Sequence, residues 1–97
     1  MHIIAKRALR EFWELHPDAK EPLDYWHQQV RRADWQSPAQ IASTWPRSSI
    51  IGNNRAVFRI KGNDYRLVAA IFYPGHKVYI RFIGTHVEYD RINALEI

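Results

Sequence analysis

Four side chains in the second half of this sequence carry groups suited to breaking a phosphodiester: Arg66, Arg81, His86 and Tyr89. An imidazole titrates near neutrality and serves as acid or base, and a tyrosine hydroxyl positions or relays a proton. Guanidinium groups grip a phosphate and stabilise charge on a phosphorane-like transition state. RNA brings its own nucleophile, the 2′-OH, so such a set requires no metal. His86 and Tyr89 are three residues apart and share one side of a helix.

Other chemistries find less support. Cysteine is absent, and His2, His16, His27 and His76 show no ligand spacing, so the expectation is no metal and no cofactor. No Walker loop or GxSxG elbow is present. The lack of cysteine favours a reducing cytoplasm. The longest apolar run, Leu67 to Tyr73, is seven residues, against roughly 20 for a spanning helix, so no membrane role is expected.

Charge is unevenly placed. The first 46 residues balance six cations with six acids, and the last ten are net negative. From Arg47 to Val87 there are seven cations and one acid, Asp64. A solvated sheet surface carries charge for solubility alone. Here the near absence of acids leaves the arginines unneutralised, which suits a polyanionic partner.

The elements that must position these groups follow from periodicity. With 97 residues, a single domain spanning 1–97 is expected. Met1–Ala5 reads as a strand. Ala8, Leu9, Phe12 and Trp13 form a helical stripe within 6–16, stopped by Pro17. A second helix starts at Pro22 and carries Leu23, Trp26, Val30 and Ala33, with Arg31 and Arg32 at its cation-favouring end. Ser37-Pro38 opens a short third helix. Trp13 and Trp26 are core; Trp35 and Trp45 flank that helix as packing residues, with base stacking the alternative. Three strands follow, over 55–61, 65–73 and 78–83. Thr85 and Glu88 then form a capping box opening a helix to about Ala94.

Short connections make the three strands an antiparallel meander. Two-residue loops at Gly62-Asn63 and Gly75-His76 would pair Arg59 with Arg66, Arg66 with Thr85, and Ala70 with Arg81. Alternation then places Arg55, Arg59, Lys61, Arg66, Tyr79 and Arg81 on one face, a candidate RNA-binding surface. Ala56, Phe58, Ile60, Leu67, Ala69, Ile71, Ile80 and Phe82 occupy the other face, beneath the first two helices. A three-residue loop in either hairpin would flip a strand.

Residues 52–68, GNNRAVFRIKGNDYRLV, and 78–90, VYIRFIGTHVEYD, resemble HigB-type toxins, as does the opening from Ala5 to Pro17. The resemblance covers nearly the whole chain. It implies an α+β, RelE-like fold: β-α-α-(short helix)-β-β-β-α, with a mostly antiparallel sheet packed on two N-terminal helices. It also implies an mRNA interferase, an endoribonuclease acting on translated mRNA at the ribosome and neutralised by a HigA-type helix-turn-helix antitoxin. Operator DNA would be met indirectly, through the antitoxin complex. Arg66, Arg81, His86 and Tyr89 fall where the superfamily carries catalytic or phosphate-binding groups. The typical member has Asn where this chain has Arg59. Two other readings stand beside this one: a non-catalytic RNA- or ribosome-binding module, and a ParE-like toxin directed at gyrase. Neither needs the His86–Tyr89 pair.

Overall fold

A computed structural model describes residues 1–97. The elements run β1 (His2–Ile4), α1 (Lys6–Leu15), a 3-10 turn (Pro17–Ala19), α2 (Lys20–Arg32), α3 (Pro38–Thr44), β2 (Ser48–Ile51), β3 (Arg55–Ile60), β4 (Tyr65–Phe72), β5 (Lys77–Thr85) and α4 (His86–Tyr89). The architecture is α+β, with a five-stranded sheet in the order β1-β5-β4-β3-β2. Strands β2 to β5 form an antiparallel meander, and β1 lies parallel to β5. No helix is long and apolar enough to cross a membrane.

The helices end and begin where proline permits. The chain leaves α1 at His16, whose N–H bonds to Phe12 O, and Pro17 opens the 3-10 turn. Helix α2 starts at Lys20 rather than Pro22, so Pro22 sits in the first turn, where its missing N–H forfeits nothing. Glu21 in that turn and Arg31 and Arg32 in the last one complement the helix dipole. Ser37 occupies the N-cap position of α3 but makes no side-chain cap bond.

One face of the sheet meets the helices. Leu9, Leu23, Trp26, Val30 and Ile41 pack there on Phe58, Ile60, Leu67, Ile71 and Val78, all fully buried. The Trp26 and Phe58 rings meet edge to face at 5.3 Å. Trp35 is buried in the same core and donates its indole N–H to Thr44 Oγ1 at 3.2 Å.

The meander has four strands, not three. Ser48–Ile51 pairs with Arg55–Phe58 as an added edge strand. It is four residues long and shows no inside-out alternation, so periodicity does not mark it.

The β3–β4 hairpin has the expected register, with Arg59 opposite Arg66. The β4–β5 hairpin departs from it. Its connection is four residues, Tyr73 to His76, with Phe72 opposite Lys77. Ala70 faces Tyr79 rather than Arg81, and Arg66 faces Gly84 rather than Thr85. The longer connection shifts the register by two residues, and a bulge then takes one back: Ala69 pairs Ile80 and Val68 pairs Phe82, leaving Arg81 without a partner. Past the bulge the alternation of β5 is inverted. Phe82 therefore joins the face away from the helices, packing with Val57, Val68 and Ala94 instead of the main core.

Helix α4 is also shorter than expected, a single turn ending at Tyr89. The chain beyond it crosses the open face of the sheet, with Ile92, Ala94 and Ile97 packed against Val57 and Val68. Asn53 Nδ2 donates to Leu95 O at 2.9 Å, and Arg55 Nε to Ile97 O at 3.1 Å.

Candidate active site

A shallow cleft of about 550 Å³ opens where the β3–β4 turn meets the start of α4. Asn63, Asp64, Tyr65 and Arg66 line one side, and Thr85, His86 and Val87 the other. Arg66 and His86, far apart in sequence, thus come to one place.

The capping box sets His86. Thr85 Oγ1 accepts from Glu88 N at 3.2 Å, and Glu88 Oε1 accepts from Thr85 N at 2.8 Å. Satisfying both ends fixes the first turn of so short a helix. These bonds hold the Glu88 carboxyl below the usual carboxylate range, the Thr85 backbone N–H being the main cause. His86 N donates to Asp64 O at 3.1 Å, tying α4 to the hairpin turn. The imidazole stays exposed at the cleft mouth, with Nδ1 3.8 Å from Asp90 Oδ2.

Arg66 is held by neutral groups. Its Nη1 donates to Asn63 O at 2.8 Å and lies 3.5 Å from Tyr65 O, and no carboxylate pairs with it. Carbonyls orient a guanidinium without cancelling its charge, so an anion entering the cleft meets a full positive charge.

Asp64 is a cleft residue that the sequence marked only as the one acid of the basic block. Its position between the turn glycine and Arg66 is the signal that could have placed it there. Its Oδ2 lies 3.6 Å from Lys61 Nζ, which offsets its charge.

Arg81 and Tyr89 stand outside this cleft. Arg81 is the exposed, unpaired bulge residue. Tyr89 is half-buried against Phe82, with ring centroids 6.4 Å apart. The Val68–Phe82 pair lies two residues along the strands from Arg66–Gly84, roughly 7 Å. Gly84 permits this packing: a Cβ there would stand 2.5 Å from Phe82 Cζ and 3.1 Å from Glu88 Oε1.

The remaining candidate RNA-binding residues divide. Arg59 and Tyr79 lie on the open face, opposite Arg66 and Ala70. Arg55 shares that face, but its guanidinium is committed to the carbonyls of Ile97 and Asn53. Lys61 leaves the face altogether. It adopts a left-handed backbone (φ 52°) that breaks the alternation, and its Nζ pairs with Asp18 on the helix side at 2.5 Å. The Tyr65 hydroxyl donates to the same carboxylate. Lys61 foremost, then Tyr65, keeps Asp18 below the usual carboxylate range. Lys61 in turn is raised, chiefly by its bond to Asp18.

An α+β architecture with a five-stranded open sheet and helices packed on one face is consistent with a RelE-like fold. Residues 19–92 match the family model described as HigB toxin, the RelE-like toxic component of a toxin-antitoxin system. The chain is 30% identical to the mRNA interferase toxin HigB of Escherichia coli (strain K12), over 98% of this chain and 93% of that protein. It is equally similar to the mRNA interferase HigB of Shigella flexneri. It is 24% identical to the mRNA interferase HigB of Escherichia coli O6:H1, over 95% and 91% of the two chains. The chain belongs to the HigB toxin family.

Proposed function

We propose that this protein is an mRNA interferase that cleaves translated messages at the ribosome without a metal ion and is held inactive by a HigA-type helix-turn-helix antitoxin. The observation that carries this reading is the pairing of an oriented, unneutralised Arg66 with an exposed His86 in one cleft. The 2′-oxygen attacks the adjacent phosphorus as its proton passes to a base. The bond to the 5′-oxygen breaks, and that oxygen takes up a proton. The products are a 2′,3′-cyclic phosphate and a 5′-OH.

Arg66 holds the scissile phosphate, and Arg81, at the bulge roughly 7–10 Å along the strands, takes the neighbouring phosphate or a non-bridging oxygen. His86 performs proton transfer. Tyr89, clamped against Phe82, positions the reacting hydroxyl or relays its proton. Arg59 and Tyr79 extend the binding surface. No three His, Asp or Glu side chains converge as metal ligands, in the cleft or outside it. Operator DNA is reached through the antitoxin in the toxin–antitoxin complex.

Expression of the chain alone should arrest bacterial growth, and co-expression of its antitoxin should relieve the arrest. Messages recovered during arrest should end in 2′,3′-cyclic phosphate or the 3′-phosphate formed by its hydrolysis. Fragments bearing 5′-phosphate and 3′-OH ends would point to metal-dependent cleavage, and undisturbed growth with soluble protein present would count against a toxin.

A further inference from the structure

A second concavity, of about 260 Å³, lies at the edge of the sheet where β3 outruns β2. Tyr25, Thr44, Trp45, Pro46, Arg47 and Arg59 line it. Helix α2 presents Tyr25 there with 59% of its surface exposed. That exposure is unusual for a large aromatic residue on a helix whose Leu23, Trp26 and Val30 are fully buried. The Tyr25 and Trp45 rings are in contact, 5.8 Å apart and tilted by 49°, and Tyr25 stays mostly exposed beside that contact. Trp45 is fixed from behind, edge-on to the core ring of Phe58 at 6.2 Å.

Two cations flank this aromatic wedge. Arg59 N donates to Arg47 O at 3.3 Å, which brings the two residues side by side. Neither guanidinium pairs with an acid. Arg59 also lies directly across the β3–β4 ladder from Arg66, a separation of about 5 Å between Cβ atoms. Arg47, Arg59 and Arg66 therefore make a line of positive charge running from the aromatic wedge to the His86 cleft. An exposed aromatic ring beside unpaired arginines is how proteins hold single-stranded nucleic acid: bases stack while phosphates meet the cations.

We propose that Tyr25 and Trp45, with Arg47 and Arg59, form a subsite for an unpaired nucleotide of the RNA strand whose scissile phosphate lies at Arg66. The proposal rests on the interferase reading. A base stacks on the exposed face of Tyr25 against the wall of Trp45, and Arg59 and Arg47 take the phosphates between that base and the cleft.

The test is equilibrium binding of a single-stranded oligonucleotide bearing 2′-O-methyl groups, which lacks a hydroxyl to attack. Growth arrest by the same variants is measured in parallel. Tyr25→Ala should weaken binding roughly 5- to 150-fold, the span of one stacked base, and Tyr25→Phe should restore it. Replacing successive nucleotides by abasic ones should weaken binding to the intact protein at one position, and that penalty should vanish in Tyr25→Ala. Arg47→Gln should weaken binding and reduce its salt dependence by about one phosphate contact.

Unchanged binding in Tyr25→Ala overturns the subsite. So does absence of binding by the intact protein while it still arrests growth, and in both cases the interferase reading stands. Loss of antitoxin binding in Tyr25→Ala with RNA binding intact makes the pocket a protein contact, again overturning the subsite. Absence of both RNA binding and growth arrest in the intact protein removes the two together.

Discussion

No acid offsets the charge of Arg66, because the groups that hold it are neutral. Two backbone carbonyls orient its guanidinium, while the nearby acid, Asp64, faces Lys61. A phosphate reaching the cleft therefore has no internal carboxylate to displace. Arg66→Ala should reduce transition-state stabilisation by about 3–4 kcal/mol, as loss of a preorganised oxyanion donor does. The variant should stay folded, since Arg66 is not part of either hydrophobic cluster. Single-turnover cleavage of ribosome-bound mRNA reads this directly, and a rate within threefold of the parent would deny Arg66 the role. Alternation and the Gly62-Asn63 turn sufficed to set Arg66 opposite Arg59. They misplaced Lys61 and Phe82, because a left-handed residue and a one-residue bulge each reverse the side to which a chain points, and neither has a mark in the alternation pattern.

At the scale of the element, α4 is one turn long, and so short a helix depends on its cap. The Thr-x-x-Glu spacing made that cap legible in the sequence, although its length was not: after Tyr89 the chain gains more by laying Ile92 and Ala94 on the open sheet than by continuing as a helix. Thr85→Ala should cost about 1 kcal/mol of stability. It should also slow cleavage more than it weakens RNA binding, since it frees His86 while leaving the arginines in place. Equal losses in binding and rate would mean that the cap only supports the fold.

A second device staples the 3-10 turn to the β3–β4 hairpin: Asp18 receives both the Lys61 ammonium and the Tyr65 hydroxyl. Asp18 is held below the usual carboxylate range, so its contribution to stability is whole at neutral pH and is lost as pH falls through its lowered pKa. Lys61 is raised, so its share is whole below the ordinary lysine value and is lost as pH rises through the raised one. Asp18→Asn should therefore destabilise the protein at neutral pH and flatten the acid limb of its stability curve. Urea unfolding across a pH series measures both, and an acid limb unchanged by the substitution would show that the staple contributes nothing.

In the whole molecule, helices seal one face of the sheet, and the C-terminal segment seals part of the other. What remains open is a strip running past Arg59, Arg66 and His86. The order of helices and strands was readable from period and punctuation, as was the core face through Leu67, Ala69 and Ile71. Two features were not. The parallel pairing of β1 with β5 joins residues some 75 apart and leaves no local trace. Ser48–Ile51 is an edge strand held by backbone bonds to β3, so its side chains need no alternation.

In the proposed reaction this architecture brings an acid–base histidine to a phosphate held by arginine. That role is tested by comparing single-turnover cleavage of ribosome-bound mRNA by the parent protein and by His86→Ala, with ribosome binding measured on the same samples. His86→Ala should bind as the parent does and cleave roughly 10²–10⁴-fold more slowly. Cleavage by His86→Ala at the parental rate would contradict the claim, whatever the protein does to growth.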